Sequence, residues 1–289
     1  MKVSYYPGCT LKSQARPLEE AARAAMARLG VELAELPRWN CCGVVHPLAA
    51  DELMGHVAAV RNLVRAQEAG DGPLVTLCAM CYNTLARANR LMREQPDKLA
   101  VLNSFMDEEP DYQGGVRVEH LLGFLAREVG WEAVARQVRR PLTGWRVAAY
   151  YGCKLQRPRE VAVEPPGSFQ LLGGLLRALG ATVVNFPATD LCCGSYQVLA
   201  EPALARELSS RILTRAGEAG AELLALSCPL CHYNLSRAAA TGDPAGARPV
   251  YFTELLAWAF GEKEALEASW RPGPAREEGG HGRSADSPA

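Results

Sequence analysis

The sequence predicts an α/β protein with two tandem duplicated domains, each a small parallel-sheet βαβ-type unit with helices on its faces. Three observations support this prediction. The ten cysteines form two copies of one pattern, the residues that flank them repeat, and short apolar segments alternate with longer amphipathic segments in both copies. Strands that alternate with helices of ten or more residues are typical of parallel βαβ units with right-handed crossovers.

In each copy a single cysteine is followed by Cys-Cys-Gly and then by Cys-x-x-Cys. The two gaps are 31 and 35 residues in the first copy and 38 and 34 in the second. An internal repeat of about 145 residues is a domain duplication rather than a solenoid period. The first cysteine set is Cys9, Cys41, Cys42, Cys78 and Cys81, and the second cysteine set is Cys153, Cys192, Cys193, Cys228 and Cys231.

The coarse pattern of both copies gives the elements in order. The first copy has predicted strands near 2–6, 31–36 and 74–77, and helices near 15–29, 48–69 and 80–93. The second copy has predicted strands near 146–150, 182–186 and 223–227, and helices near 168–179, 197–218 and 230–239. Each copy ends with a strand-then-helix unit, at 116–129 and 249–260, and the segments 94–115 and 156–167 are predicted loops. Gly30 and Gly180 are predicted helix C-caps.

The pattern also predicts the domain limits. We expect a first cysteine-rich domain at 1–138 and a second at 139–270, with the boundary near Arg139-Arg140-Pro141. Residues 271–289 carry Gly, Pro and charge but almost no apolar side chains, which predicts a disordered tail.

Composition excludes some classes of function. The formal net charge is −1 and aromatic residues make up 7% of the chain, which argues against a nucleic-acid partner. No apolar run is long enough for a transmembrane segment, and no secretory signal is recognisable at the start. We therefore expect a cytoplasmic protein, either free or peripheral to a membrane-bound complex.

The cysteines predict metal or redox chemistry rather than a disulfide framework, because the chain is long and shows no export signal. They follow the ends of predicted strands, and parallel sheets gather their ligands at that edge. A glycine after Cys-Cys permits the positive φ that turns both sulfurs toward one centre. Five thiolates are one more than tetrahedral zinc or an ordinary four-cysteine cluster uses. A structural zinc with a bystander cysteine stays open, more so for the first set.

This pattern, present twice and using all ten cysteines, resembles the tandem CCG domains in the B-subunit of heterodisulfide reductase. The resemblance implies that each cysteine set ligates a noncubane [4Fe-4S] cluster; from the spacing alone, zinc in place of the first cluster stays open. It implies reduction of the mixed disulfide of coenzyme M and coenzyme B, or of a related thiol or sulfur substrate. If all ten cysteines are ligands, none remains for thiol–disulfide exchange.

The resemblance also implies partners, since the chain has no ferredoxin-type cysteine run and no nucleotide-binding glycine motif. The expected partners are a ferredoxin-like iron–sulfur subunit of the C-subunit type and, further from this chain, a flavoprotein subunit. Similar CCG domains occur in succinate, glycolate and lactate dehydrogenase-type complexes. A non-catalytic electron-relay subunit of such a complex is therefore the alternative hypothesis.

Six further residues near the cysteines are weaker candidates for a role in the chemistry. Lys12 and Lys154 follow the first cysteine of each set, where they could balance cluster charge or bind an anionic substrate; solvated loop lysines are the structural alternative. His46 and His232 could donate protons to a departing thiolate, and helix-surface histidines are the alternative. Asn83 and Asn234 could donate to cluster sulfur or cap a helix turn.

Overall fold

The computed structural model describes residues 1–45, 47, 51–70, 72–241 and 246–262. Each half contains a four-stranded sheet in which every pair of neighbouring strands is parallel. The strand order is β2-β1-β3-β4 in the first half and β6-β5-β7-β8 in the second. The predicted fold class, α/β with two duplicated parallel-sheet units, is therefore confirmed.

The same order of elements is present twice. The strands are β1 (Lys2–Tyr5), β2 (Glu32–Glu35), β3 (Leu74–Thr76), β4 (Val118–His120), β5 (Arg146–Ala149), β6 (Thr182–Val184), β7 (Leu223–Leu226) and β8 (Arg248–Tyr251). The helices are α1 (Arg16–Arg28), α2 (Val57–Glu68), α3 (Ala79–Glu94), α4 (Pro96–Phe105), α5 (Leu121–Phe124), α6 (Trp131–Arg136), α7 (Gln170–Ala178), α8 (Pro202–Glu218), α9 (Pro229–Thr241) and α10 (Phe252–Ala259).

Strand order fixes where a ligand would sit. The chain passes from β1 to β2 in one direction and then returns across β1 to form β3, so the direction reverses between β1 and β3. In open parallel sheets this switch point leaves a crevice at the carboxyl ends of the two strands. Right-handed crossovers place α1 on one face of the sheet and α2 with α3 on the other, where these two helices pack together.

The predicted loop at 94–115 is wrong in part, because residues 96–105 form α4. Its helix signals are Pro96 at the first position and Asp97 in the first turn, and these signals look like loop composition when the apolar periodicity is weak. Of its side chains only Leu102 is buried, so the helix lacks the broad apolar stripe that identifies a helix in a sequence.

Several predicted boundaries shift. The helix predicted near 48–69 is α2 from Val57, preceded by a short 3₁₀ turn at Met54–His56, and residues 48–50 lie outside the described residues. The helix predicted near 197–218 likewise begins at Pro202, after a 3₁₀ turn. The C-cap predictions are confirmed, since Gly30 and Gly180 follow α1 and α7 with φ of 69° and 86°.

The two halves pack through reciprocal contacts. Helix α1 of the first half packs against α10 of the second, and α5 of the first half packs against α7 of the second. The buried hydroxyl of Thr253 donates to the carbonyl of Leu18 across this boundary, at 3.0 Å. Because α7 is the counterpart of α1 and α10 that of α5, the halves are related by an approximate two-fold axis, with one continuous apolar core.

The exact domain boundary at 138/139 stays a prediction, although the two sheets divide between β4 and β5. The tail predicted to be disordered, 271–289, lies outside the described residues. Among the described helices none is long and apolar enough to cross a bilayer.

Candidate functional site

The cysteines of each half lie at the carboxyl edge of its sheet. In the first half Cys9 follows β1, the Cys41-Cys42 pair follows β2, and Cys78 follows β3. Cys9 and Cys78 therefore flank the switch point between β1 and β3. The second half repeats this arrangement after β5, β6 and β7. In both halves cysteines therefore lie along the carboxyl edge of the sheet, where parallel sheets commonly bind ligands.

The five sulfurs of the first cysteine set line one cavity of about 520 Å³, whose opposite wall is α9 of the second half. The thiol of Cys9 donates to the sulfur of Cys41 at 3.8 Å, which joins the early cysteine to the Cys-Cys pair. Cys42 and Cys81 also interact through their thiols. The cysteines of this set, separated by up to 72 positions in sequence, therefore meet at one site.

The second cysteine set is equally close but more tightly enclosed. The thiol of Cys193 donates to the sulfur of Cys231 at 3.3 Å, and Cys153 pairs with Cys192. Four of the five residues border a cavity of only about 10 Å³. In this half the thiols thus contact one another with almost no free space between them.

The two sets approach each other at the approximate two-fold axis. The thiols of Cys78 and Cys228, which are equivalent by sequence, lie close enough across the boundary between the halves to shift each other's pKa. A residue that contacts its own equivalent lies on the symmetry axis. Met80 and its equivalent Leu230 border the cavities of both sets. The sites in the two halves are therefore neighbours, each completed by residues of the other half.

A buried tyrosine after the first strand of each half holds the Cys-Cys segment in place. The hydroxyl of Tyr6 donates to the carbonyl of Asn40 at 2.8 Å, and that of Tyr150 donates to the carbonyl of Leu191 at 2.7 Å. Both acceptors directly precede a Cys-Cys pair. Burial, with the nearby sulfurs, raises the pKa of both tyrosines, so the phenols stay protonated donors.

We expect Tyr150→Phe to lower the free energy of unfolding by about 2 kcal/mol, because Leu191 loses its side-chain donor. Tyr6→Phe should cost only about 1 kcal/mol, since Asn62 also donates to the carbonyl of Asn40. Urea unfolding of the metal-free proteins measures both effects. Equal losses in the two variants would contradict the anchoring of Asn40 by two donors.

A polar residue on the second long helix of each half supports the same segment. Asn62 is fully buried, and its amide both accepts from the backbone of Asn40 and donates to its carbonyl, each at 3.0 Å. At the equivalent place the buried hydroxyl of Ser209 donates to the carbonyl of Cys193 at 2.9 Å. Neither residue was predicted from the sequence, where the signal is a lone polar side chain on the apolar face of a helix.

Glycines make the sharp turns at the cysteines possible. Gly43 and Gly194 follow the Cys-Cys pairs with φ of 72° and 96°, as the Cys-Cys-Gly motif predicts. Gly8 precedes Cys9 with φ of 74°, and a Cβ there would lie 2.9 Å from the sulfur of Cys81. These positions therefore need glycine for both backbone conformation and space.

Hydrogen bonding among the thiols lowers the pKa of some cysteines and raises that of others. Hydrogen bonds from Cys42 and Cys9 lower the pKa of Cys41 to about 2, and one from Cys153 lowers that of Cys192 to about 6. The same contacts raise the pKa of Cys9 and Cys153. Closely spaced sulfurs cannot all ionise together, so each metal-free set keeps several protons, which a bound metal would displace.

The two candidate lysines differ in their surroundings. The ammonium of Lys12 lies 2.7 Å from Glu19 and 2.6 Å from Glu35, so its charge is balanced by carboxylates on α1 and β2. Lys154 borders the cavity of the second set. After the hydrogen bond from Cys153, its charge contributes to the lowered pKa of Cys192. Lys154 is thus the better placed of the two, and a chemical role for either stays a prediction.

The candidate histidines and asparagines are less symmetric than their spacing suggests. His46 lies outside the described residues. His232 follows the second set but lines the cavity of the first, stacked on Tyr251 with ring centres 4.2 Å apart. Burial lowers its pKa to about 4, so it is neutral at pH 7 and could donate only its single N–H. Asn83 donates to backbone carbonyls of Lys154 and Arg157, whereas Asn234 approaches the sulfur of Cys193.

A buried histidine that was not predicted from the sequence contacts the residue before Cys78. His120, at the end of β4, donates from Nε2 to the carbonyl of Leu77 at 2.9 Å and accepts at Nδ1 from the backbone of Leu122 at 3.3 Å. Burial lowers its pKa to about 4. Its neutral ring therefore bridges the end of β3 and the start of α5.

This histidine makes stability depend on pH. Between its folded pKa of about 4 and its ordinary value near 6.5, the unfolded chain binds a proton that the folded chain excludes. We expect the free energy of unfolding to fall by about 2 kcal/mol from pH 7 to pH 5 through this residue. Urea unfolding at both values tests it, with His120→Leu as the control. An equal pH dependence in that variant would contradict the assignment.

The donor set fits a sulfur-ligated metal group. Ten thiols in two sets of five, mostly buried beside apolar side chains, are the soft ligands that iron–sulfur clusters and zinc prefer. Within the described residues no group of three or more Cys, His, Asp or Glu side chains has the geometry of a single-ion site. The first set borders a cavity large enough for a polynuclear group, whereas the sulfurs of the second would have to move apart to admit one.

The fold and the site together define a class: two-domain α/β proteins with a five-thiol set at the edge of each sheet and a shared boundary between the sets. The chain belongs to the family described as "CCG: Cysteine-rich domain", whose model matches residues 3–86 and 147–236. Within it the chain is similar to heterodisulfide reductase B-subunits, which confirms the resemblance found in the sequence.

The relatives belong to two kinds of oxidoreductase complex. The chain is 34% identical to the 8-methylmenaquinol:fumarate reductase membrane anchor subunit of Wolinella succinogenes, over 80% of this chain and 81% of that one. It is 28% identical to the B-subunit of the ferredoxin/F420H2-dependent CoB-CoM heterodisulfide reductase of Methanosarcina acetivorans, over 90% and 89% of the two chains.

A solved structure of a hypothetical protein from Helicobacter pylori shares the fold, with a TM-score of 0.71 and 13% identity. The match covers 91% of this chain and 49% of that protein, so the chain spans about half its length. At this identity the likeness supports the architecture alone.

Proposed function

We propose that the chain is an iron–sulfur subunit of a heterodisulfide reductase-type complex and reduces a small disulfide, or a related thiol or sulfur substrate, at two noncubane [4Fe-4S] clusters. The first cysteine set ligates one cluster and the second set the other. The observation that supports this most strongly is the completeness of both sets, since all ten thiols converge at two adjacent sheet edges.

The residues around the first set suit a disulfide. The walls of its cavity are mainly apolar and come from both halves, with Tyr233 and Arg237 contributed by α9. Apolar walls exclude water from the sulfurs, and an arginine at the border can attract an anionic group of a substrate. A bound iron–sulfur cluster supplies electrons one at a time.

With every cysteine engaged as a ligand, no thiolate is free to attack a disulfide by exchange. Reduction must then draw its electrons from outside the chain. We propose a ferredoxin-like iron–sulfur subunit as the direct donor and a flavoprotein subunit that supplies it in turn, because the sequence lacks both a ferredoxin cysteine run and a nucleotide-binding glycine motif. Attachment to a membrane complex would then be peripheral.

A second function is supported by the relative from Wolinella succinogenes, which is named as a subunit of a fumarate reductase. In that alternative the chain relays electrons, or only docks, in a succinate, glycolate or lactate dehydrogenase-type complex in which a separate flavoprotein binds the substrate. The apolar cavity would then contact a partner or a hydrophobic carrier rather than a disulfide.

Anaerobic purification with iron and sulfide analysis tests the proposal, followed by electron paramagnetic resonance (EPR) with an added thiol. We expect about eight iron atoms per chain and a signal that changes on thiol addition. About four irons with one zinc would place zinc in one set and favour the relay. Two clusters that show no response to thiol would also favour the relay.

A further inference from the structure

The environments of the two cysteine sets differ in hydrogen-bond donors. At three aligned positions the second half carries a side-chain donor close to its cysteines, and the first half carries either no donor or one that is already engaged. The aligned pairs are Ser195 and Val44, Ser227 and Leu77, and Asn234 and Thr84. Each pair has the same spacing from the nearest cysteine, so the difference lies in chemistry alone.

Asn234 already contacts a sulfur. Its Nδ2 lies 3.7 Å from Sγ of Cys193, 3.2 Å from the carbonyl of the same residue and 2.9 Å from the carbonyl of Ser195. The two carbonyls fix the orientation of the amide, because the opposite orientation would set its oxygen against both. At the aligned position, Thr84 donates back to the carbonyl of Met80 at 2.9 Å and is not available to a sulfur.

The two serines each have a hydroxyl group that is not engaged in a hydrogen bond among the described residues. The hydroxyls of Ser195 and Ser227 are buried and have no hydrogen-bond partner among the described residues. Ser195 borders the cavity of the second set and is held at φ of 50°, a conformation that a non-glycine residue adopts only under constraint. Ser227 directly precedes Cys228. Buried hydroxyls normally have partners, so these two are available to a sulfur-rich group bound at the second set.

The two sets also differ in nearby positive charge, which again favours the second set. Lys154 borders the second cavity, where its ammonium charge can act on the sulfurs. Lys12, the lysine nearest the first set in sequence, is neutralised by Glu19 and Glu35. The buried cysteines of the two sets are alike in exposure: 2%, 3% and 5% for Cys42, Cys78 and Cys81, against 2%, 5% and 7% for Cys193, Cys228 and Cys231. At these three positions donors and charge, rather than burial, distinguish the two sets; outside them Cys9 is exposed and Cys153 is half-buried.

We infer that Ser195, Ser227, Asn234 and Lys154 give the cluster of the second set the higher reduction potential of the two. The inference rests on the proposed function, since it needs a cluster in each set. Reduction adds an electron to a sulfur-rich, negatively charged group, and hydrogen bonds to sulfur and a nearby cation favour that added charge. Electrons that enter the chain settle first on the second cluster, and the first cluster, beside the large cavity, is the more strongly reducing one.

Redox titration of the anaerobically loaded full-length chain, followed by EPR, tests this. Wild type should give two midpoints. Asn234→Leu, Ser227→Ala and Lys154→Met should each move the higher midpoint to lower potential and leave the other in place, whereas Lys154→Arg should retain the wild-type value. Ser227→Ala and Lys154→Met change a small or partly exposed side chain, so the test does not depend on Asn234→Leu folding well.

The first half offers matched controls. Thr84→Val and Lys12→Met should leave both midpoints unchanged, because neither side chain acts on a sulfur. Repeating Ser227→Ala in a Cys41→Ser, Cys42→Ser background, which lacks the first cluster, assigns the shifting signal to the second. Two loaded clusters whose midpoints ignore Ser227→Ala and Lys154→Met would overturn this inference alone. Wild-type protein that takes up no iron would overturn the proposed function and the inference with it.

Discussion

Cys42→Ala should halve the iron content of the purified protein, from about eight atoms per chain to about four. Cys42 is 2% exposed and interacts with Cys41 and Cys81 within the first set, so its loss removes one of five ligands without touching the second set. Cys193→Ala should have the same effect through the second set, and the double variant should bind almost no iron. Iron and sulfide analysis with EPR measures all three.

These variants also decide between iron and zinc in the first set. If the first set holds zinc, Cys42→Ala should lose the zinc and keep its iron, whereas Cys193→Ala should lose all of its iron and keep the zinc. Alanine leaves only a small gap at either position, and circular dichroism of the metal-free variants controls for folding. If Cys42→Ala bound as much iron and zinc as the wild-type protein, Cys42 would not be a metal ligand.

Gly194→Ala should lower the free energy of unfolding by about 3 kcal/mol or more. The residue has φ of 96°, and an added Cβ would lie 2.7 Å from Cα of Ala205, a backbone atom of α8 that cannot move without the helix. Alanine at this position would therefore be destabilised both by its positive φ and by steric overlap with α8. Urea unfolding of the metal-free protein measures the loss, and iron content should fall with it.

Gly30→Ala is the matched control, because Gly30 also has a positive φ, 69°, but an added Cβ there meets nothing within 4 Å. Only the backbone term remains, so we expect a loss of about 1 kcal/mol. Similar losses in the two variants would show that the contact with α8 contributes nothing.

The sequence was sufficient to predict the architecture and the meeting of the cysteines. Alternation of short apolar segments with helices gave the parallel sheets, and each cysteine follows a strand end, where the geometry of such sheets brings it close to the others. The glycine of each Cys-Cys-Gly also adopts the positive φ that the motif predicts. These features are local or follow from topology, so one chain was enough to find them.

Features that depend on side-chain packing could not be found in this way. Asn62 and Ser209 are single polar residues within helical patterns, and only the folded backbone shows that they hold the Cys-Cys segments. Lys12 was indistinguishable from Lys154 until Glu19 and Glu35 were seen beside it. His232 lines the cavity of the other half, because the boundary between the halves places α9 over the first set. The spacing of residues in the sequence does not show that a residue of one half lines the cavity of the other.

The reciprocal packing of α1 on α10 and of α5 on α7 is the contact pattern of an isologous homodimer, in which every contact occurs twice. A homodimer packed in this way would carry two identical sites that face each other at the axis. Identical subunits cannot carry serine at one site and leucine at the other. Within one polypeptide the two sites are free to differ, as Leu77 and Ser227 do.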